Sequence, residues 1–214
     1  TAPEQDHTAW DAWTGAGSWL AVGRVPKRLR ADPAQFETLW ALRPADFGKV
    51  VMMGREVATP RWHQSYGRGY YFTGMQHAAL PVPEPVRPIL DWANALGLGH
   101  FNQVLFNWYA NGHHYIGRHR DDETQLVRRS PILSLSFGAT RTFRVRDWRT
   151  GKVALDLPLP DGAALVMGGS MQATHQHEVP KIGGKKGEAV GRRINITLRQ
   201  FVDGGEASGG GQAK

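Results

Sequence analysis

The chain from Phe101 onward is a succession of short strand-like segments separated by frequent turn residues, and this pattern constrains the fold most strongly. We predict eight strands, at residues 102–109, 113–118, 131–137, 141–146, 153–157, 163–167, 175–179 and 192–201. Eight short strands joined by turns favour an antiparallel double sheet. We therefore predict a mainly β protein of the α+β class, with a jelly-roll core, also called a double-stranded β-helix.

Two helices and a hairpin are predicted before this core, and the helices are expected to back it. Asp32 and Pro33 supply an N-cap and a proline at the first helical position, so a helix should run from there to about Leu42. A second helix is expected over residues 85–98, where apolar side chains form one stripe and glycines follow. Residues 50–57 predict a β-hairpin with Gly54 at or near its turn.

Three other segments show less regular patterns. Residues 1–23 mix three tryptophans with small residues, and we interpret them as a loose arm that packs a few aromatic rings on the body. Residues 60–74 are aromatic, glycine-rich and basic, which predicts a loop followed by a short strand. Residues 203–214 are rich in glycine and are expected to be flexible.

Composition limits the chemistry that is open to the chain. Its 214 residues correspond to one domain, or to a domain with a modest lid. The absence of cysteine excludes disulfides, thiolate metal ligands and a cysteine nucleophile, whereas nine histidines leave imidazole–carboxylate metal sites open. The net charge of +7 favours a polyanionic partner. No apolar run is long enough to span a membrane, so we expect an intracellular protein without membrane segments.

Candidate metal ligands lie in the segment 115–123, which reads YIGRHRDDE. His119 and Asp121 are two residues apart on an expected strand, so their side chains point to the same face. They are two of the three ligands that the 2-His-1-carboxylate set of non-haem Fe(II) oxygenases requires. A single His-x-Asp pair is weak support, because it is common by chance. Downstream, His175 and His177 alternate on another expected strand, and either of them could complete the set.

Polar side chains alternate along the last predicted strand, RRINITLR, and all face one side of it. They are Arg193, Asn195, Thr197 and Arg199. Two inward arginines on an otherwise apolar strand are costly without anionic partners. A dicarboxylate is such a partner, because a guanidinium group binds a carboxylate through two parallel hydrogen bonds. In the segment FNWY, Asn107 and Tyr109 add two polar groups on one face of a strand.

The order of these motifs resembles the AlkB family of Fe(II)- and 2-oxoglutarate-dependent dioxygenases, most of all its DNA-repair homologue 2 and 3 type. The resemblance covers roughly residues 47–202 and rests on N-x-Y, HRDDE, SLSFGATRTF, a late His-x-Val-Pro and RINITLR. HRDDE and RxNxTxR together are its most specific parts. It implies an N-terminal arm and first helix (1–46), a nucleotide-recognition lid with a supporting helix (47–100), the jelly-roll core (101–202) and the tail (203–214).

The resemblance also implies a role for each matching residue. Iron would be bound by His119, Asp121 and His177. The co-substrate 2-oxoglutarate would be held by Asn107, Tyr109, Arg193, Asn195 and Arg199. A flipped base would be contacted by Glu123, Asp122, Phe72 and Tyr70. A finger for entering the duplex would consist of Met52, Met53 and Gly54. A basic loop that grips the DNA backbone would contain Lys181, Lys185 and Lys186.

The activity that the resemblance implies is removal of N-alkyl lesions, such as 1-methyladenine and 3-methylcytosine, from DNA by hydroxylation and formaldehyde release. Fe(II), 2-oxoglutarate and dioxygen would be needed. We expect a monomer that acts on alkylated single- or double-stranded DNA, in the nucleus if the organism is a eukaryote. Two alternatives stay open: an RNA N-methyl demethylase with the same chemistry, and a nucleic-acid-binding protein with a non-catalytic dioxygenase fold.

Two departures from the family pattern affect these expectations. The metal-binding histidine of the family follows an earlier histidine by three residues, whereas His175 and His177 are two apart. The apolar residue and proline after His177 match the family, so we choose His177 and keep His175 as the alternative. At the finger, Met53 stands where the family has an aromatic residue, although methionine can also act as an apolar wedge.

Overall fold

The structure, a computed structural model, describes residues 10–15, 17–52, 54–72 and 75–202. In this part the strands in chain order are β1 (Asp11–Gly15), β2 (Ser18–Arg24), β3 (Lys49–Met52), β4 (Arg55–Ala58), β5 (Trp62–Tyr66), β6 (Tyr70–Phe72), β7 (Met75–His77), β8 (Ala79–Leu80), β9 (Gln103–Tyr109), β10 (Ile116–His119), β11 (Ile132–Gly138), β12 (Arg141–Asp147), β13 (Val153–Leu159), β14 (Ala163–Gly169), β15 (His175–Val179) and β16 (Arg193–Arg199). The helices are α1 (Pro33–Ala41), α2 (Arg87–Ala95), α3 (Met171–Thr174) and α4 (Gly184–Glu188), with 3₁₀ turns at Lys27–Leu29 and Glu84–Val86.

The strands form two facing sheets and two separate hairpins. The larger sheet has the order β1-β2-β14-β11-β16-β9-β5-β8, and its neighbours are antiparallel except for β5 and β8. The smaller sheet has the order β10-β15-β12-β13 and is antiparallel throughout. The hairpins are β3–β4 and β6–β7. This architecture confirms the predicted jelly roll, and all eight strands predicted after Phe101 are present with shifts of a few residues at their ends.

The larger sheet buries both of its faces, and each face has a different partner. On the outer face, side chains such as Phe106, Trp108 and Ile196 pack with Trp40 of α1 and Trp92 of α2. On the inner face, a second apolar cluster fills one end of the space between the two sheets. Its members include Leu20, Ile132, Phe143, Val145, Leu165 and Met167. The helices therefore back the jelly roll as predicted, and the remaining inner space is left for polar side chains.

Helix α1 confirms its predicted start. The Asp32 side chain accepts a hydrogen bond from the Gln35 backbone N–H at 2.8 Å, and Pro33 is the first helical residue. Helix α2 is shorter than the predicted span of 85–98, because its first turn is the 3₁₀ turn Glu84–Val86 and the helix ends at Ala95. Neither these helices nor any other in the described part is long and apolar enough to cross a bilayer.

In the part that the structure describes, residues 1–23 are not a loose arm, although Trp10, Trp13 and Trp19 do pack on the body as expected. Strands β1 and β2 form a hairpin, and β2 pairs with β14 along its whole length, from Ser18 to Arg24. Strand β2 was not predicted because buried and exposed positions do not alternate regularly along SWLAVGR. Strand β2 is fixed by pairing and by the Trp19 ring, which occupies the space where Gly168 of β14 has no side chain.

The segment 60–74 also differs from its prediction. Residues Trp62–Tyr66, expected in a loop, form β5 and pair with β9 in the larger sheet. Strand β5 was not predicted because its middle residues, HQS, are polar. The short strand expected near the end of the segment is present as β6, and the predicted hairpin at 50–57 is present as β3–β4. Gly54 turns it with a positive φ of 74°, a conformation that favours glycine.

Candidate active site

Three metal-ligand side chains come together on β10 and β15, two paired strands of the smaller sheet, and in the loop after β10. His119, the last residue of β10, lies opposite His177 of β15 in the strand pairing. Asp121 follows two residues after His119, and its Oδ2 lies 3.8 Å from His177 Nε2. The candidate ligand atoms of the three side chains lie within 4.8 Å of one another. The group thus has the composition and spacing of a 2-His-1-carboxylate iron site.

The structure distinguishes between the two histidines of β15. His175 lies outside the three-residue group and packs edge-on against Trp13 of β1, with ring centroids 5.4 Å apart. Its Nδ1 is hydrogen-bonded to the hydroxyl of Thr174 at 2.8 Å. The His177 ring instead lies 4.2 Å from that of His119 and stacks on Phe143. The register of β15 against β10 therefore selects His177 as the candidate ligand.

The three side chains have the protonation states that metal binding requires. Burial lowers the pKa of His177 to about 3, and burial also lowers the pKa of His119, so both imidazoles are neutral at pH 7. Burial acts to raise the pKa of Asp121, but Arg199, His177 and His119 together outweigh this effect and hold that pKa below its ordinary value. Two neutral imidazoles and one carboxylate are ready to bind a cation without first losing protons.

Hydrogen bonds fix the orientation of these side chains. Nδ1 of His119 is 2.9 Å from the Gly117 carbonyl oxygen, which leaves its Nε2 for a metal ion. The Asp121 backbone N–H donates to the side-chain oxygen of Gln172 at 2.9 Å. Nη1 of Arg199 donates to Asp121 Oδ1 at 3.3 Å. Such contacts behind the ligands set their direction and strengthen metal binding.

A cavity adjoins the three-residue group between the two sheets. It is lined by the three candidate ligands and by polar side chains of β9, β11 and β16. These polar residues are Asn107, Tyr109, Ser134, Arg193, Asn195 and Thr197. This lining follows from the alternation of side chains along β9 and β16: the apolar residues face the helices, and the alternate residues face inward.

Arg193 is the strongest sign that this cavity takes an anion. Its side chain is only 1% exposed, and its guanidinium lies 5.1 Å from the Tyr109 ring centroid. One N–H group donates to the Ser136 hydroxyl at 2.8 Å, but Nε and Nη1 are buried without a hydrogen-bond partner among the described residues. Burial lowers the pKa of Arg193, although a guanidinium stays charged at neutral pH. Such unused donors fit a carboxylate ligand.

Arg199 has a different environment from Arg193. It is fully buried and forms ion pairs with Asp121 and, through the same Nη1 atom, with Oε1 of Glu123. Its Nε donates to the Gln103 side chain at 2.9 Å. Burial raises the pKa of Glu123 despite this arginine, whose charge is shared between two carboxylates. Arg199 thus connects the candidate metal ligand to Glu123, and its predicted contact with 2-oxoglutarate stays a prediction.

Comparison with known proteins decides the family. The family model described as the 2OG-Fe(II) oxygenase superfamily matches residues 45–199. DNA oxidative demethylase ALKBH2 of Homo sapiens is 33% identical over 164 residues, which is 72% of this chain and 61% of that protein. Alpha-ketoglutarate-dependent dioxygenase alkB homolog 3 of Homo sapiens is 40% identical over 151 residues, 65% of this chain and 51% of that protein. The chain belongs to the AlkB family of 2OG-Fe(II) oxygenases.

A solved structure supports the same fold. The structure of OsALKBH1 superposes with a TM-score of 0.59 at 17% identity, covering 90% of this chain and 100% of that one. The family implies Fe(II), 2-oxoglutarate and dioxygen, and the group of His119, Asp121 and His177 fits the iron. The chain spans about three fifths of the length of ALKBH2 and about half of alkB homolog 3.

The structure describes the side chains of five residues that are predicted to contact nucleic acid in this AlkB-family chain. Glu123 is 9% exposed, and its Oε2 is a buried acceptor without a partner among the described residues. Asp122 is exposed and pairs with Arg120 at 2.7 Å. Lys181 follows β15, and Lys185 and Lys186 lie on α4, all three with exposed side chains. Their contacts with DNA stay predictions.

The predicted finger and base-stacking residues are only partly described. Met52 ends β3 and Gly54 lies in the following turn, while Met53 lies outside the described residues. The backbones of Tyr70 and Phe72 belong to β6, which pairs with β7, but their side chains lie outside the description. Both hairpins fall within the 47–100 segment in which the AlkB resemblance puts the nucleotide-recognition lid.

Sequence reasoning missed the side chains that support this site. Arg61 donates to Asn107 Oδ1 at 2.6 Å, and Gln103 joins Arg199 to the Ser65 hydroxyl. Further support comes from Gln172, Ser134 and Ser136. Gln103 could have been found, since it continues the inward alternation of Asn107 and Tyr109 along β9. Arg61 and Gln172 could not, because loops and pairing between distant strands bring them to the site.

Proposed function

We propose that this chain is an Fe(II)- and 2-oxoglutarate-dependent oxidative demethylase that removes N-alkyl lesions of the 1-methyladenine and 3-methylcytosine type from DNA. The observation that carries the proposal is the adjacency of two unlike sites in one cavity. One is a group of two neutral imidazoles and one carboxylate, and the other is Arg193, a buried cation with unused donors. A metal ion at the first and a dicarboxylate at the second are the requirements of this oxygenase chemistry.

In this proposal each side chain of the site has one task. His119, Asp121 and His177 would hold the iron on one side and leave its other coordination positions to co-substrate and dioxygen. Arg193 would bind a carboxylate of 2-oxoglutarate through Nε and Nη1. Its charge would be assisted by the other predicted co-substrate residues, Asn107, Tyr109, Asn195 and Arg199. When bound, iron with 2-oxoglutarate and dioxygen would supply the oxidation that hydroxylates the N-methyl carbon, and the resulting N-hydroxymethyl group would then leave as formaldehyde.

The protein's remaining task is to present the base. A methyl group on a Watson–Crick nitrogen is hidden in a duplex, so the base must leave the stack or come from a single strand. We infer that the free Oε2 of Glu123 accepts a hydrogen bond from the exocyclic amino group of that base, with Asp122 beside it. Phe72 and Tyr70 would stack on the ring opposite His119. Met52, Met53 and Gly54 would open the duplex.

The basic surface supports DNA as the partner. The net charge is +7, and Lys181, Lys185 and Lys186 are exposed just after the strand that carries His177. Lysines so placed would bind phosphates without regard to sequence. Of the two relatives, one is named as a DNA oxidative demethylase and the other as an alpha-ketoglutarate-dependent dioxygenase. We propose that the protein acts as a monomer inside the cell, in the nucleus if the organism is a eukaryote.

The test is a demethylation assay across a defined set of substrates. Protein with Fe(II) and 2-oxoglutarate is incubated with oligonucleotides that contain 1-methyladenine or 3-methylcytosine, as single-stranded DNA, duplex DNA and RNA. Repaired base is measured by mass spectrometry, with His177→Ala as the matched inactive control. We expect repair of DNA by the wild type and none by the variant. Faster repair of RNA would reassign the substrate, and no repair of any nucleic acid by iron-loaded protein would refute the function.

A further inference from the structure

An exposed tryptophan stands at the edge of the site, and the chemistry described above does not use it. Trp148 follows β12 and is 49% exposed, whereas the other seven tryptophans are buried or half-buried. Its position is fixed, because its backbone N–H donates to the Thr174 carbonyl at 2.9 Å. The preceding residue, Asp147, accepts a hydrogen bond from the Thr150 N–H and so closes the turn. Hydrogen bonds therefore fix the backbone of the turn that carries this exposed ring.

Arg120 packs on the Trp148 ring. Its guanidinium lies 4.2 Å from the centroid of the Trp148 ring, and it forms an ion pair with Asp122 at 2.7 Å. Arg120 stands in sequence between the two candidate metal ligands of the β10 region, His119 and Asp121. The cation–π contact therefore ties the exposed ring to the segment that holds the metal group. A ring held in this way can stack on a flat ligand without losing further conformational freedom.

The ring is also close to the metal group along the sheet. Strand β12 pairs with β15, so that Val145 lies opposite His177 and Asp147 lies opposite His175. Trp148 is three residues past Val145, which is a displacement of roughly 10 Å along an extended strand. Successive nucleotides in a stacked strand are about 3.4 Å apart. Along the strand direction, Trp148 is thus displaced from His177 by about three nucleotide spacings.

The surface around the ring carries unneutralised positive charge. Three nearby carboxylates each have an arginine partner: Asp122 with Arg120, Asp156 with Arg144, and Glu178 with Arg146. A fourth, Asp147, forms no such ion pair among the described residues and interacts with the charge of Arg149. Three exposed basic residues on β10 and the β12–β13 turn form no ion pair within the part of the chain that the structure describes. They are Arg118, Arg149 and Lys152. An aromatic ring surrounded by basic side chains is the combination that binds single-stranded nucleic acid.

We propose that Trp148 stacks on an unpaired base next to the lesion, and that this contact makes the protein prefer single-stranded over duplex substrates. The proposal rests on the proposed function only for the position of the lesion; the stacking itself is a binding property. In a duplex the neighbouring bases are already stacked and paired, so the ring has no free base face to cover. In a single strand each base offers one, and the basic side chains hold the backbone beside it.

The test compares binding of single-stranded and duplex DNA by Trp148→Ala and Trp148→Phe variants. The probe is a fluorescein-labelled oligonucleotide of about 12 nucleotides with one 3-methylcytosine, alone or annealed, measured by fluorescence anisotropy at fixed salt. We expect Trp148→Ala to lose roughly ten-fold in single-strand affinity and to change duplex affinity by less than about two-fold. Trp148→Phe keeps an aromatic face and should retain most of the wild-type affinity.

A matched control comes from the same hairpin. Val153 of β13 is 47% exposed and has no aromatic ring, so Val153→Ala should leave both affinities unchanged. An equal loss on single strand and duplex in Trp148→Ala, or no loss on either, would overturn the proposal. The demethylation assay has a separate outcome. If the wild type demethylates DNA but Trp148→Ala has the same strand preference as the wild type, only the stacking role is refuted. If the wild type does not demethylate DNA but its strand preference depends on the Trp148 ring, only the demethylase function is refuted.

Discussion

At the scale of single residues, the candidate ligands were accessible to sequence reasoning only in part. His119 and Asp121 follow from even spacing in one segment, but His175 and His177 also share one face of their strand. The choice between them depends on the register of β15 against β10, where His177 lies opposite His119. Register arises from pairing across nearly sixty residues of sequence. The resemblance to a known family supplied the choice that spacing alone left open.

Replacement of these two histidines tests the assignment. His177→Ala should abolish stoichiometric binding of Fe(II), or of Mn(II) as a redox-stable substitute, because it removes one of three ligands. His175→Ala should keep metal binding, since His175 packs on Trp13 and bonds to Thr174. Metal content after anaerobic loading and dialysis is the measurement. Loss of metal in His175→Ala alone would show that our assignment is wrong.

Arg193 provides a second prediction at this scale. Arg193→Met removes the buried cation, and with it charge-assisted hydrogen bonds of about 1.5–3 kcal/mol. The dissociation constant for 2-oxoglutarate should therefore rise roughly 10- to 100-fold, as measured by calorimetry on Mn(II)-loaded protein.

Arg192→Met is the control for that experiment. It changes the charge equally at the neighbouring position, but Arg192 is exposed and pairs with Glu37 on α1. Its 2-oxoglutarate affinity should match the wild type. Equal weakening in both variants would mean that overall charge, and not the cavity, controls co-substrate binding.

At the scale of secondary-structure elements, the sequence predicted the jelly roll well and the edges of its larger sheet poorly. Most of the eight strands after Phe101 carry regular apolar patterns, because their apolar residues pack between the sheets or against the helices. Strands β10 and β13 are the exceptions and are largely exposed. Strands β2 and β5 lie toward opposite edges, and their sequences SWLAVGR and WHQSY lack such a pattern. Their places are fixed by backbone pairing and by contacts with distant residues. Local patterns do not contain that information.

The fit of Trp19 against Gly168 should be essential for the edge hairpin. A Cβ atom added at Gly168 would lie 2.0 Å from the Trp19 ring, so Gly168→Ala forces the ring or the strand to move. We expect a loss of about 1–3 kcal/mol in the free energy of unfolding, measured by urea denaturation. Gly183→Ala is the control, because no atom lies within 4 Å of the added methyl group and φ is −89°. An unchanged stability in Gly168→Ala would show that β2 is not fixed by this contact.

At the scale of the whole molecule, helices cover the outer face of the larger sheet, and exposed basic residues follow β15 and occupy the β12–β13 turn. The sequence gives the total charge of +7 but not its distribution. The distribution depends on which cations have carboxylate partners, such as Arg144 with Asp156, and those pairs form only in the folded chain.

The salt dependence of DNA affinity measures how many of these positive charges contact phosphates. Each phosphate contact contributes a slope of about −0.7 to a plot of log affinity against log salt for single strands, and about −0.9 for duplex DNA. A Lys185→Ala/Lys186→Ala double variant should therefore reduce the magnitude of the slope by between about one and two. Arg87→Ala on α2 removes an exposed cation from the helix side and should leave the slope unchanged. An unchanged slope in the double variant would remove α4 from the DNA contact surface.

The central claim is that the group of His119, Asp121 and His177 and the cavity beside Arg193 together couple 2-oxoglutarate oxidation to repair of a base. The most direct measurement is succinate formed per base repaired, determined by mass spectrometry in one reaction with Fe(II), 2-oxoglutarate and a 3-methylcytosine oligonucleotide. We predict close to one succinate per repaired base for the wild type, and neither product for His177→Ala. Repair without succinate, or both products from His177→Ala, would contradict the account.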